Sequence, residues 1–302
     1  MDEIQHLESI TQMHQLMDQG KPRHPLVTII DFSKVKDYGN TRARIASGFY
    51  GVMMKSNCLG RMKYGRQYYD FEDGTMVFIG PGQVISVEED PDIVDKVEGW
   101  GLFFHPDLLR GTSLSRKMKE YSFFAYESNE ALHLSDQERK TINDCIDKID
   151  IELGMNIDKH SQTLIVSNIE LLLNYCTRYY DRQFITRKSA NKDTLTKFED
   201  ILTDYFNSDK LKELGLPTVK YCAEKLFLSS NYLSDLLKKE TGKNAQEHIH
   251  YFLIEEAKNR LLLSNESVSS IAYDLGFDYP QYFSKFFKKK TGMTPASFRN
   301  AN

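Results

Sequence analysis

The sequence predicts an α+β chain: an N-terminal β-barrel, a helical hairpin, and a C-terminal all-α domain holding two helix-turn-helix units. Three observations carry this. One pattern occurs twice between Val219 and Phe298. Short apolar segments broken by turn residues fill positions 26–104. Two stripes of apolar residues at helical spacing lie between these regions.

The duplicated pattern organises the rest. VKYCAEKLFLSSNYLSDLLKKETG runs from Val219 to Gly242, and VSSIAYDLGFDYPQYFSKFFKKKTG from Val268 to Gly292. Val219, Ala223 and Leu226 match Val268, Ala272 and Leu275. After a one-residue insertion, Tyr232, Leu237, Lys238, Lys239, Thr241 and Gly242 match Tyr282, Phe287, Lys288, Lys289, Thr291 and Gly292. A repeat of roughly 50 residues indicates one structural unit used twice.

Each copy reads as helix, turn, helix. Val219, Cys222, Ala223 and Leu226 fall on one helical face, and Ser229 and Ser230 are able to cap a following helix. That helix buries Leu233, Leu236 and Leu237 and stops at Gly242. In the second copy Ile271, Ala272 and Leu275 face inward, Gly276 turns, Pro280 starts a helix with Phe283, Phe286 and Phe287 inside, and Gly292 ends it. The polar residues left on the outside are those that read DNA. The candidate contacts are Ser229, Ser230, Asn231, Ser234, Asp235 and Lys238 in the first unit. In the second they are Tyr279, Gln281, Ser284, Lys285, Lys288 and Lys289. Asn, Gln and Ser hydrogen-bond base edges, and Lys meets phosphate or guanine. A merely solvated face has the same composition; its occurrence in two units at fixed spacing favours the DNA reading.

Asn244 to Asn265 reads as one helix capped by Asn244 and joining the units. About 19 residues at about 1.5 Å each make a strut of roughly 28 Å. Successive major-groove faces lie about 34 Å apart, within reach of two helices fixed to such a strut.

The region from near Thr194 to Arg299, about a third of the chain, resembles the DNA-binding domain of the AraC/XylS family of bacterial transcription regulators. The resemblance rests on Ala223-Glu-Lys-Leu226, Tyr232-Leu233-Ser234, Lys238-Lys-Glu-Thr-Gly242, Ala257 with Leu261-Leu262, and Ile271-Ala272. Its strongest part is Leu275-Gly-Phe277, Gln281-Tyr-Phe-Ser-Lys-Phe-Phe-Lys288, Thr291-Gly-Met-Thr-Pro295 and Phe298-Arg299. The resemblance implies double-stranded operator DNA as a partner, a homodimer, a small-molecule effector held in a cupin-like sensor barrel, and RNA polymerase as a further candidate partner. Asp235 departs from the pattern, since it sets an acid on a stripe expected to face phosphate. It is able to accept from cytosine N4.

Composition sets outer limits. The 302 residues suffice for two domains with ordinary cores. A hydrophobic fraction of 40% and mean hydropathy of −0.50 describe a soluble chain. No run approaches a membrane span, and the acidic, polar start MDEIQHLESI is unlike a secretory signal, so a cytoplasmic location is expected. Cys58, Cys145, Cys176 and Cys222 are scattered without a CxxC pair, so neither a zinc site nor a disulfide framework is expected. The net charge of −4 hides a division: residues 216–302 hold 12 basic against 9 acidic residues, or +3, leaving −7 for the remainder. A local basic face is sufficient for DNA.

Toward the N-terminus, Ile4, Leu7 and Ile10 suggest a short helix. Strands are expected at Leu26–Phe32, Phe49–Met54, Gln67–Phe71, Thr75–Ile79, Val84–Val87 and Gly99–Phe104, with Asp73-Gly74 as a hairpin turn. Gly74 to Gln83 and Trp100 to Leu109 resemble the cupin-like barrel of the same family. Enzymatic cupins use several histidines. Of the eight histidines here only His105 lies on a candidate barrel strand, and His248 and His250 are two apart on a helix. No metal, cofactor or catalytic residue is therefore expected. Candidates to line a ligand cavity are Arg42, Arg44, Tyr50, Tyr68, Tyr69 and Trp100.

Ser135-Asp-Gln-Glu138 is a capping box before a helix with Ile142, Ile146, Ile149 and Leu153 inside, ended by Gly154. A second helix over about 159–182 carries Ile165, Ile169, Leu172, Cys176 and Tyr179. This stripe serves either dimerisation or packing within the same chain. The expected domains are a sensor barrel at 1–134, the hairpin at 135–185, a polar linker at 186–193 and the DNA-binding domain at 194–302. The functional expectation is a sequence-specific transcription regulator without a catalytic step. The alternatives are a ligand-independent regulator whose barrel docks a protein, and a cupin enzyme tethered to DNA.

Overall fold

The computed structural model describes residues 4–35, 44–56, 62–64, 67–69, 74–87, 98–127, 130–186 and 188–301. The chain divides into two compact units, Met1–Thr186 and Arg187–Asn302.

The first unit begins with β1 (Ile4–Leu7) and α1 (Ile10–Leu16), followed by β2 (Val27–Asp31) and β3 (Arg44–Ser47). Next come β4 (Tyr50–Ser56), β5 (Met62–Tyr64), β6 (Gln67–Tyr69) and β7 (Thr75–Ile79). The last strands are β8 (Val84–Val87), β9 (Glu98–Phe104) and β10 (Leu132–His133). Among the described residues they make two separate five-stranded ladders, β1-β3-β8-β5-β6 and β10-β7-β4-β9-β2. The strands expected from alternation and turn residues are present. Three differences stand out. The helix expected around Ile4 and Leu7 is a strand paired in parallel with β3, and helix starts only after Ser9 caps α1 in a capping box with Gln12. β6 and β7 do not form a hairpin, because β6 pairs with β5 and β7 with β4 and β10. His105 is not on a strand; its Nδ1 accepts from Asp107 N at 3.1 Å to cap the 3₁₀ turn Pro106–Leu109.

The second ladder is apolar on both faces. Residues of one register, among them Met53, Val77 and Phe103, join Leu7, Ile10 and Phe49 in one cluster. The opposite register, including Phe78 and Phe104, meets Phe123, Phe124 and Tyr180: Phe78 lies 4.4 Å from Phe123, which stacks on Tyr180 at 5.5 Å.

Tyr180 belongs to the helical pair α3 (Asp136–Gly154) and α4 (Ser161–Thr186). The Ser135 capping box with Glu138 is formed, and Arg182 returns to Glu138 at 2.8 Å. The Gln183 amide accepts from His133 N at 2.9 Å and donates to Ala131 O at 3.1 Å, holding β10 to α4. The stripe proposed for dimerisation is consumed here. Ile165, Ile169, Leu172 and Cys176 are at most 1% exposed and Tyr179 is 7% exposed, so these side chains are core of their own chain. The exposed large apolar residues of α4 are instead Leu164, Leu171 and Ile185.

The second unit is all-helical: α5 (Lys188–Phe206), α6 (Lys210–Leu214), α7 (Val219–Leu226) and α8 (Ser230–Thr241) precede α9 (Ala245–Leu263). α10 (Val268–Asp274), α11 (Pro280–Thr291) and α12 (Pro295–Ala301) complete it. The polar segment expected as a linker is helical from Lys188 and opens α5. Asn191 is buried, and its amide donates to Glu240 Oε1 on α8 at 3.0 Å. A tertiary bond thus extends a helix whose local sequence has no apolar period. The expected strut is α9, capped by Asn244 with Glu247 in a capping box. Its Ala245, Ile249, Leu253, Ala257 and Leu261 are all buried.

The turns inside the two repeats differ in strain. Gly276 has φ +80°, and a Cβ there would lie 2.8 Å from Leu211 O and 2.9 Å from Gly215 Cα, both backbone. The matching turn before α8 places Phe227 in the left-handed region at φ +57°, with the residue 70% exposed. Opposite outcomes follow for substitutions at these two turns. Gly276→Ala is expected to destabilise the second unit by about 2–4 kcal/mol, from left-handed strain plus a backbone clash. Phe227→Gly is expected to stabilise it by about 1 kcal/mol. Calorimetry of the intact protein checks both, with the transition of the first unit unmoved.

Candidate nucleic-acid interface

The two repeats build the same local structure by the same means. Thr218 caps α7 and Ser229 caps α8, each side chain accepting a backbone N–H at 3.1 Å; Ser267 caps α10 at 3.0 Å. α8 and α11 end alike. Gly242 and Gly292 adopt φ +78° and +82°, and Thr241 and Thr291 each donate back to a carbonyl, Leu237 and Phe287, at 2.8 Å. These ends fix the length of each second helix, so residues 50 apart occupy equivalent places.

The inward faces set the orientation. In the first repeat Cys222, Ala223, Leu233, Leu236 and Leu237 are buried, and burial pushes the Cys222 thiol up to about 11, leaving it neutral. In the second repeat Phe283 lies 5.4 Å from Phe277 and 5.8 Å from Phe287, which meets Phe298 edge-on at 5.5 Å. α9 reaches both repeats. His248 bonds Thr241 Oγ1 at 2.8 Å, and His250 meets Phe286 edge-on at 5.0 Å. Burial first, then the charges of Lys243 and Lys290 respectively, lowers the pKa of each imidazole. These histidines are packing groups. Among the described residues no group of three His, Cys, Asp or Glu is placed to hold a metal ion.

Asn231 and Lys238 on α8, and Gln281, Lys285, Lys288 and Lys289 on α11, are exposed on the outer faces. Ser230, Ser234, Asp235 and Ser284 are half-buried beside them. Ser229 is different: it is buried, and its hydroxyl is engaged in capping, which removes it from the contact surface. Tyr279 precedes α11, is 55% exposed and makes no capping bond. Sequence reasoning missed Tyr282. The repeat equates it with Tyr232, yet Tyr232 is 6% exposed and Tyr282 62%, with its ring edge-on to Tyr279 at 5.6 Å. Nothing in the local sequence separates the two tyrosines; their surroundings do.

Of the six candidate ligand residues of the first unit, the side chains of Arg44, Tyr50 and Trp100 are described. Arg42 lies outside the described residues, as do the side chains of Tyr68 and Tyr69. Arg44 is exposed on β3. Tyr50 stacks on Phe104 at 5.3 Å and meets Phe124 at 5.0 Å, on the helix-covered side of the second ladder. Trp100 lies on that same side, and its indole N–H donates to Asn143 of α3 at 2.9 Å. Tyr50 and Trp100 therefore pack β-strand against helix. Tyr50 pairs with Phe104 and Trp100 with Met54, which puts them about 13 Å apart along the ladder.

Comparison with known proteins matches residues 222–301 to a helix-turn-helix domain family. The transcriptional regulatory protein YesN of Bacillus subtilis strain 168 is 41% identical over 92 residues, covering 29% of this chain and 25% of the relative. The transcriptional regulator YobQ of the same organism is 39% identical over 83 residues, 28% of this chain and 34% of the relative. The C-terminal domain of the two-component response regulator yesN from Fusobacterium nucleatum is 31% identical, with TM-score 0.30, covering 34% of this chain and 93% of that one. The match thus spans about a quarter to a third of the length of the two curated relatives. The C-terminal unit, with two helix-turn-helix repeats joined by α9, thus carries an AraC-type helix-turn-helix domain.

Proposed function

We propose that this chain is a sequence-specific DNA-binding transcription regulator, working in the cytoplasm as a homodimer. The observation that carries the reading is the pair of equivalent helices α8 and α11, each with its apolar face buried and its polar face open, joined by a helix of 19 residues. At about 1.5 Å per residue α9 is roughly 28 Å long, close to the spacing of about 34 Å between successive major grooves. A modest bend of the duplex closes the difference. Gln281 reads bases and Lys289 meets phosphate. RNA polymerase and a small-molecule effector complete the set of partners.

The first unit supports two versions of control. In one, an effector binds between the sheets and shifts the DNA-competent state. In the other, the first unit docks a protein partner and takes no ligand. The second version gains support from Tyr50 and Trp100, which are engaged with other aromatic rings and with Asn143. A metabolite panel separates them, since a ligand that binds only the native state raises the melting temperature.

The dimer face is the exposed side of α4. Leu164, Asn168, Leu171, Tyr175 and Arg178 recur at spacings of 4, 3, 4 and 3, a seam suited to a second copy of the same helix. Leu171→Asp is expected to leave the melting temperature unchanged and convert a sedimenting dimer to monomer. A parent protein that sediments as a monomer, with and without DNA, removes the dimer from the proposal.

Selection of bound duplexes from a random pool tests the main reading, and the sequence recovered serves as the operator. Gln281→Ala is expected to lose about 1–3 kcal/mol on that operator and far less on mixed sequence. Lys289→Ala is expected to weaken both alike and to reduce the salt slope by about one. Recovery of no duplex overturns the proposal.

A further inference from the structure

The two repeats share a backbone plan but not a charge. At equivalent outward places Asn231 corresponds to Gln281, Ser234 to Ser284, Lys238 to Lys288 and Lys239 to Lys289. Chemistry is kept at all four. At two further places the sign inverts: Asp235 corresponds to Lys285, and Glu240 to Lys290. Both inversions run in the same direction. α8 holds two lysines and two acids and is neutral, whereas α11 holds four lysines and no acid. The acid at 240 is also structurally engaged, since Asn191 donates to it from α5, while Lys290 is exposed. The flanks differ in the same sense. Tyr279 and Tyr282 stand in solvent at the start of α11, and Tyr232 at the equivalent place on α8 is buried.

Resting on the DNA reading above, we infer that the units divide the work: α11, besides presenting Gln281 to the bases, supplies most of the attraction to duplex DNA of any sequence, and α8 engages only where the bases match. Non-specific affinity comes from cations that displace counterions from phosphate, and α11 has four on one helix. Its two exposed tyrosines add hydroxyl donors and ring surface for the sugar-phosphate edge. α8 cannot supply the same attraction, because Asp235 and Glu240 offset Lys238 and Lys239 over the length of the helix. Asp235 also makes an unmatched groove unfavourable for α8, being unable to donate and well suited only to an amino group such as cytosine N4. The neutral unit thus contributes discrimination beyond that of Gln281, and the cationic unit contributes most of the residence on DNA.

The test uses the full chain and a mixed-sequence duplex of about 30 base pairs, so that no operator is needed, and reads the dependence of affinity on salt. Two double variants remove equal charge from equivalent exposed places: Lys288→Ala with Lys289→Ala, and Lys238→Ala with Lys239→Ala. The first pair is expected to lower the salt slope by about two, and the second by less than about one. Tyr282→Ala is expected to weaken mixed-sequence binding several-fold, and Asp235→Asn to strengthen it. All variants carry surface changes, and unchanged melting confirms that each is folded. Equal slope changes for the two lysine pairs, or a larger one for the α8 pair, overturn the inference while leaving DNA binding intact. If the parent protein binds no duplex at all, the DNA reading itself falls, and this inference with it.

Discussion

Helix α9 carries one continuous apolar stripe along its length, and the second unit is arranged to keep that stripe from water. Ala245, Ile249, Leu253 and Ala257 are wholly buried, Leu261 is 1% exposed, and His248 and Ile254 widen the face on either side. Such a stripe must pack against other elements for the helix to be stable. Each large aliphatic side chain on it gains about 1.5–3 kcal/mol by leaving solvent. α5, α7 and α8 pack against it, as do α10 and α12. The small Ala257 and Ala245 allow close approach. Burying α9 is therefore the same event as placing the two repeats, and the positions of α8 and α11 follow from the demands of one hydrophobic helix.

The contact between Gly215 and Gly276 locks the second repeat to α6. Here backbone meets backbone, with Lys212 and Arg260 converging on Asp274 at 3.1 and 3.8 Å. Such pairs are partly solvated and each adds little by itself. Their value is geometric, since they hold the first turn of the repeat against the helix that precedes it. The first repeat has no glycine in its turn, and Phe227 adopts a left-handed backbone there. Duplication preserved the turn and not the residue best suited to it.

Much of the second unit was legible in the sequence because its signals are local. Caps at Ser229 and Asn244, the stops at Gly242 and Gly292, and the apolar faces of both repeats depend on residues within a few positions of each other. What escaped depends on partners far along the chain. The parallel strand Ile4–Leu7 requires β3, 40 residues away in register, and looks helical when read alone. The first turns of α5 depend on Glu240, and the RKSANKD segment carries no period to announce them. The apolar stripe of α4 was visible, but its destination was not: periodicity shows that Ile165 and Leu172 must be covered, and the same chain turned out to cover them. Among the DNA candidates, Ser229 takes the capping role its sequence position suggests, and its hydroxyl is buried there rather than presented on the outer face.

Gln183 has a consequence of another kind. Its side-chain amide imitates a strand, giving one acceptor to His133 N and one donor to Ala131 O, while Arg182 takes His133 O at 2.7 Å. β10 stands at the end of its ladder, with β7 on one side and, among the described residues, no further strand on the other. An open edge of this sort templates the addition of strands from other molecules and is a route to aggregation. Here a helix closes it with side chains, so the polar groups are satisfied without offering a repeatable lattice. That border of the sheet is sealed against growth by two neighbouring side chains of one helix, Arg182 and Gln183.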